Sequence, residues 1–224
     1  MKNKIKTISN MLRYTYYKII DAILIAKDYI KNILLNKGER IDPSIQENNA
    51  NITSHLNRYI FVVKMLNKYK YDYLDIACGT GYGTKILAGV GVRVIGVDLS
   101  RKAILYARLK YKLPNLRYET KEFMNYKQKH DVVVSFETLE HLSCSLTTSI
   151  NHIVKLANKI VIGSVPYNEI AGMNHHHHHF NITEKDIKKA INKYAVNFYY
   201  QDNSGIISSQ KNNNVQNLIF TISK

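Results

Sequence analysis

The chain of 224 residues has no tryptophan, only two cysteines and three prolines, and its 17 acidic residues are outnumbered by 32 lysines and arginines. The two cysteines, Cys78 and Cys144, are too few to staple a chain of this length as a disulfide scaffold. They fit a reducing compartment, so a cytoplasmic location is expected. Long apolar runs are also missing. The stretch Ala22-Ile23-Leu24-Ile25-Ala26 lies between Asp21 and Lys27, too short and too late for a signal core and far short of the roughly 20 residues of a membrane span. The shortage of acid leaves a net charge of +15. Such a charge suits an anionic partner: nucleic acid, a membrane surface or a charged glycan. The abundance of Lys, Asn, Ile and Tyr is equally the mark of compositional drift, and charge alone does not choose. Hydrophobic residues make up 45% of the chain, enough for a full core.

Residues 5–36 read as one amphipathic helix. Ile5, Ile8, Leu12, Ile19, Ile23, Ile30 and Leu34 recur mostly three, four or seven apart, Lys and Tyr fill the other face, and Gly38 ends it. Residues 39–53, with Pro43, read as a connecting loop, and 54–69 as a second helix with Ser54 as N-cap. The expected division is a basic helix and linker over 1–50 and one α/β domain over 51–224. From Tyr71 strands and helices alternate. Strands are expected at 73–77, 92–97, 116–120, 131–136, 159–165, 196–201 and 217–222, and helices near 84–88, 100–111, 145–156 and 183–193, with Pro114 and Pro166 as breaks. This grammar predicts a seven-stranded, mostly parallel sheet with helices on both faces, closed at one edge by an antiparallel pair.

The most informative run is Leu74-Asp75-Ile76-Ala77-Cys78-Gly79-Thr80-Gly81-Tyr82-Gly83, which follows a predicted strand and opens a helix. Glycines there let the chain turn tightly and let a ligand lie against main-chain atoms. The second strand ends at Asp98, where a carboxylate can accept both hydroxyls of a ribose. A dinucleotide site uses the same logic, but two details speak against one. Asp75 would repel a pyrophosphate and can instead meet an ammonium. Gly79-x-Gly81-x-x-Thr84 also lacks the third glycine of the dinucleotide pattern.

These residues resemble the class I S-adenosylmethionine-dependent methyltransferases. The loop resembles their first motif, and Val94-Ile95-Gly96-Val97-Asp98-Leu99-Ser100 their second. The resemblance implies a Rossmann-like sheet, a transferase and S-adenosylmethionine as cofactor. It puts the methionine part against Asp75, Ala77, Gly79 and Gly81, and the ribose at Asp98 and Leu99. Glu122, followed by Phe123, stands where the family usually places an Asp that accepts from the adenine amine; the longer acid is a departure. The run from Asp131 to Leu142, with Phe136, is implied to line the pocket between cofactor and acceptor. The usual Lys-Pro-Gly-Gly turn before the fifth strand is reduced to Ala157-Asn158-Lys159. Upstream, Gly38-Glu39-Arg40 and His55-Leu56-Asn57-Arg58-Tyr59 resemble bacterial methyltransferases encountered beside glycosyltransferases. That implies a small-molecule or glycan acceptor methylated on oxygen.

Glu137, Glu140 and His141 fall at the C-terminal end of the fourth strand, where open α/β sheets place their chemistry. His141 is a candidate general base, with Glu140 and Glu137 beside it; the plainer reading makes all three helix caps. Pro166-Tyr167-Asn168 and the following loop to Phe180, with the internal run His175 to His179, are expected to form a lid over the acceptor. Glu137-x-x-Glu140-His141 also resembles the metal motif of small-RNA 3′-terminal 2′-O-methyltransferases and of some quinone O-methyltransferases. There a further His stands in a His-x-Phe context, here matched best by His178 and next by His176. That resemblance implies a divalent metal on Glu137, Glu140, His141 and His178, against the metal-free base. Three further alternatives stay open: an RNA methyltransferase, a non-catalytic cofactor-binding module, and a peripheral membrane contact through the N-terminal helix.

Overall fold

The computed structural model describes residues 16, 18, 42–43, 50–171, 176–191 and 193–224. The helix expected over 5–36 and most of the loop over 39–53 lie outside them. The chain divides into two compact units, Met1–Arg40 and Ile41–Lys224, and the second contains the sheet.

Helix α1 (Ala50–Leu66) begins ahead of the expected cap. Ser54 is buried inside it rather than at its start, and its backbone carbonyl accepts from Gln201 Nε2 at 2.9 Å. The alternation then runs β1 (Asp72–Ile76), α2 (Tyr82–Leu87), β2 (Arg93–Asp98), α3 (Arg101–Lys110), β3 (Leu116–Thr120), β4 (His130–Phe136), α4 (Leu146–Leu156), β5 (Ala157–Pro166), α5 (Glu184–Ala190), β6 (Ala195–Asp202), β7 (Ile207–Ser208) and β8 (Val215–Ser223). Short 3-10 turns occupy Phe123–Asn125 and Leu139–His141. Serines cap α3 and α4: Ser100 Oγ accepts from Ala103 N at 3.3 Å and Ser145 Oγ from Thr148 N at 3.2 Å. Helix α5 opens on a capping box between Thr183 and Asp186 and stops at Ala190, short of the expected Lys193, where Ile191 leaves helical geometry at φ −133°.

The sheet order is β3-β2-β1-β4-β5-β8-β6-β7. Strands β3 to β5 are parallel, and β8 runs antiparallel between β5 and β6. The expected antiparallel closing pair is therefore β6 with β8. The sheet has eight strands rather than seven, because the polar loop between them contributes the two-residue strand β7, too short to show any period. Period-two alternation sends successive residues to opposite faces. Leu74, Ile76 and Val133 enter one buried cluster, while Tyr73, Val132 and Val134 enter the other. Among the described residues no helix is long and apolar enough to cross a membrane. Strand order reverses between β1 and β4, and at such a switch point the crevice beyond the strands' C-terminal ends is where open α/β sheets bind ligands.

Candidate active site

At the end of β1 the chain turns through three left-handed residues, Ala77 (φ 63°), Gly79 (φ 56°) and Gly81 (φ 83°). A Cβ on Gly81 would come within 2.6 Å of Ala107 Cβ and 2.7 Å of the Tyr118 ring, so only glycine fits. Nothing approaches within 4 Å of the corresponding point on Gly79, which leaves that stretch of backbone open to a ligand. Asp98 holds the loop from β2: Oδ2 accepts from Gly79 N at 2.9 Å and Oδ1 from Ser100 N at 2.8 Å. Beside it Leu99 is 69% exposed, an apolar side chain in water at the mouth of the crevice.

Asp75 lies beneath the loop, 1% exposed. Its carboxylate accepts from Thr84 Oγ1 at 2.6 Å and from Tyr59 Oη at 3.2 Å. Burial pushes its pKa up to about 7; the two hydroxyls oppose the rise and the charge of Asp98 adds to it. Thr84 occupies the place of the missing third glycine, and its hydroxyl gives that departure a physical reason. Sequence reasoning assigned no role to Tyr59 or Thr84; the signal available was a hydroxyl residue at the third-glycine position. Glu122 accepts from Met124 N at 3.0 Å and Asn125 N at 2.9 Å, so both its oxygens cap the first 3-10 turn. Phe123 is buried in that turn, and Phe136 is buried edge-on to Tyr59 with centroids 5.1 Å apart.

Beyond β4 the three expected reacting residues separate. Glu137, in a left-handed conformation (φ 48°), turns its carboxylate away into a polar network. Arg58 Nη1 lies 2.8 Å from Oε1, Ser164 Oγ donates to Oε1 at 2.7 Å, and Asn217 Nδ2 donates to Oε2 at 2.7 Å. Three side-chain donors thus hold the Glu137 carboxylate, and its charge stays near enough to act on Glu140. Glu140 stays at the site. It is 1% exposed, and its Oε2 is buried with no hydrogen-bond partner among the described residues. Burial and the nearby charge of Glu137 hold its carboxyl well above the usual range. His141 is half-buried. Its Nδ1 lies 3.2 Å from the His176 carbonyl, which can only accept, so Nδ1 is the donor of that bond. Its Nε2 is 3.9 Å from Glu140 Oε1.

Residues 176–180 lie against this end of the sheet. Backbone N–H groups of His178 and His179 donate to the Glu140 carbonyl at 2.7 and 3.2 Å. The ring that reaches the site is that of His177, edge-on to His141 with centroids 4.6 Å apart, its Nδ1 hydrogen-bonded to Glu169. Glu140, His141 and His177 bring three potential ligand atoms within 4.8 Å of one another. His178, in the set the resemblance implies, is exposed and meets Glu140 through its backbone N–H. His175 lies outside the described residues.

With this geometry in view, residues 74–159 match the model of a methyltransferase domain family. The chain is similar to a ubiquinone biosynthesis O-methyltransferase of Thiobacillus denitrificans, 41% identical over 75 residues, which is 31% of this chain and 32% of that one. The chain spans less than half the length of the curated relatives it matches. Among solved structures, the methyltransferase domain resembles magnesium protoporphyrin IX methyltransferase from Synechocystis PCC 6803 with bound S-adenosylhomocysteine, at TM-score 0.68 and 20% identity, covering 90% of this chain and 99% of that one. It also resembles the N-methyltransferase NodS from Bradyrhizobium japonicum WM9, at TM-score 0.63 and 16% identity, covering 87% and 97%. Likeness at such identity speaks for the fold alone.

Proposed function

We propose that the protein is an S-adenosylmethionine-dependent methyltransferase acting on a hydroxyl of a small acceptor, a sugar or similar group in glycan synthesis. The observation that carries the cofactor reading is the loop Ala77 to Gly81, turned in left-handed geometry, open at Gly79 and clamped by Asp98 at the switch point of the sheet. In this reading the loop backbone receives the methionine part, Asp75 faces its ammonium through the Tyr59–Thr84 pocket, Asp98 takes the ribose, and Leu99, Phe123 and Glu122 border the adenine. When bound, S-adenosylmethionine supplies an electrophilic methyl whose departing group is a neutral thioether.

The acceptor side is read from His141. Its free Nε2 can take the proton of a hydroxyl as that oxygen gains the methyl, and Glu140 beneath it restrains the imidazole. The lid of residues 176–180 limits the access of water. The sugar class rests on the resemblance of residues 38–40 and 55–59, and a cytoplasmic site of action on the two free cysteines, Cys78 and Cys144. One observation supports a second reading. The Glu140–His141–His177 cluster, with a buried carboxylate oxygen lacking a partner, suits a divalent ion that would orient vicinal hydroxyls. The ribose end of an RNA offers such hydroxyls as well as a sugar does.

The test is incubation of the protein with methyl-labelled cofactor and a panel of glycans, nucleotide-sugars and short RNAs. Label in an alkali-stable glycan product is expected. Label in RNA alone would replace the acceptor class. Calorimetric binding of S-adenosylhomocysteine without transfer to any acceptor would favour the non-catalytic module, and no binding would overturn the cofactor reading itself.

A further inference from the structure

Helix α3 buries Ala103, Ile104, Tyr106 and Ala107 against the sheet. Its other face is unusual for a solvated helix. Leu105 and Leu109, one turn apart, are 49% and 48% exposed, and Leu113 just beyond the helix end is 38% exposed. Isolated exposed leucines need no explanation, but two one turn apart on a helix face, with a third in the extended segment that follows it, form a patch. The residues around them are Arg101, Lys102, Arg108 and Lys112, all exposed, and no acid occurs between positions 101 and 113. At the C-terminal end of α3 a groove of about 550 Å³ opens against edge strand β3, lined by Arg108, Lys112, Leu113, Pro114 and Arg117, with Glu119 as its acid. Arg108 is fixed at the groove wall by Nε and Nη2, which donate to the Tyr118 carbonyl at 2.9 and 2.6 Å. Among the described residues no carboxylate forms an ion pair with Arg101, Lys102, Arg108, Lys112 or Arg117.

We propose that this face of α3, together with the groove at its end, docks the protein on an anionic phospholipid surface. Leucines interleaved with cations match both layers of such a surface: the apolar side chains enter the acyl boundary while the lysines and arginines stay at the phosphates. Nucleic acid matches only half of the pattern. A backbone of phosphates would satisfy the cations and leave three leucines in water, and the aromatic rings that stack on bases are engaged elsewhere. Tyr118 is buried, and the Tyr111 hydroxyl lies 3.1 Å from Asp42 Oδ2. The contact is peripheral and separate from the catalytic crevice, and it uses residues of α3 and β3.

Flotation of the full chain with phosphatidylcholine vesicles, with and without about one-third phosphatidylglycerol, tests this. Binding is expected only to the anionic vesicles and falls as salt is raised. Leu105→Gln/Leu109→Gln/Leu113→Gln is expected to weaken it by at least about tenfold, because apolar insertion is lost. Arg108→Gln/Lys112→Gln/Arg117→Gln is expected to weaken it by about a hundredfold, from about 1 kcal/mol per cation. A cooperative thermal melt shows that the variants remain folded, with a somewhat lower Tm expected for the cation variant because Arg108 loses its bonds to the Tyr118 carbonyl. Failure of the wild type to float, or flotation of the leucine variant equal to wild type, would overturn the proposal. So would a leucine variant whose only change is from dimer to monomer in sedimentation, or binding of a short RNA that displaces the protein from vesicles without dependence on the leucines.

Discussion

Arg58 reaches from α1 to Glu137 at the end of β4, with Nη1 2.8 Å from Oε1, and is itself only 2% exposed. The contact ties the first helix of the domain to the strand that carries Glu140 and His141. It also explains why Glu137 tolerates a left-handed backbone: three side-chain donors hold its carboxylate in place. Removing either partner strands a buried charge, a loss of about 3–5 kcal/mol. Arg58→Met and Glu137→Gln are each expected to lower stability in urea denaturation by about 3 kcal/mol. The double variant is expected to lose clearly less than the sum, because neither charge is then left alone. Additive losses would show that the pair is not energetically coupled.

Asp98 clamps Gly79 N, and in the proposed reading it also takes the ribose. Asp98→Ala is expected to weaken S-adenosylmethionine by about 2 kcal/mol or more, since charge-assisted hydrogen bonds to both hydroxyls are lost. Calorimetry decides it, and unchanged affinity would contradict the ribose assignment.

The order of strands and helices was legible because short unbroken apolar runs mark strands buried on both faces, as in Val132-Val133-Val134, and helical spacing marks helices, as in the α4 positions Ile150, Ile153 and Val154. The loop from Ala77 to Gly81 was legible because its glycines serve the backbone directly. What escaped was set by tertiary contact. Ile207–Ser208 pair only because β6 lies beside them. Glu137 and Glu140 look alike in sequence, and the left-handed turn at Glu137 is what parts them. A run of identical histidines has no period, so spacing could not say that the ring of His177, and not that of His178, turns inward.

Asp75 predicts a pH dependence. Its folded pKa of about 7 lies above the unfolded carboxylate value of about 3.9. Its contribution to stability is therefore fully present below pH 3.9 or so and is lost as pH rises through about 7, amounting to about 4 kcal/mol. Asp75→Asn should flatten the fall in stability between pH 5 and pH 8, read by denaturant midpoints at fixed ionic strength. An ammonium ligand favours the ionised acid, so S-adenosylmethionine binding should release a proton near pH 6 and tighten as pH rises to about 8. Calorimetry in buffers of different ionisation enthalpy measures that proton. A variant as pH-sensitive as wild type, or binding without proton release, would remove Asp75 from this role.

The last prediction separates base from metal at Glu140, His141 and His177. On the base reading only His141 must exchange a proton with the acceptor, and its Nδ1–H bond to the His176 carbonyl already selects the competent tautomer. Turnover is then expected to survive exhaustive chelation by EDTA. His141→Ala should lower kcat by about 10²–10⁴-fold, the usual worth of a general base, and His177→Ala should have a small effect through lid packing. On the metal reading EDTA abolishes turnover, Mn or Mg restores it, and Glu140→Gln, His141→Ala and His177→Ala each lose metal response together with rate. Under either reading Glu137→Gln acts through stability rather than through metal response, because its carboxylate belongs to Arg58, Ser164 and Asn217. A Glu137 variant that is stable but has lost metal response would show that its carboxylate swings back into the site, and the division between structural and reacting acids drawn from the geometry would fall. His178→Ala is the matching control. Its ring is exposed and its contribution is a backbone N–H to Glu140, so activity close to wild type is expected, and a loss as deep as that of His177→Ala would reverse the choice between the two histidines.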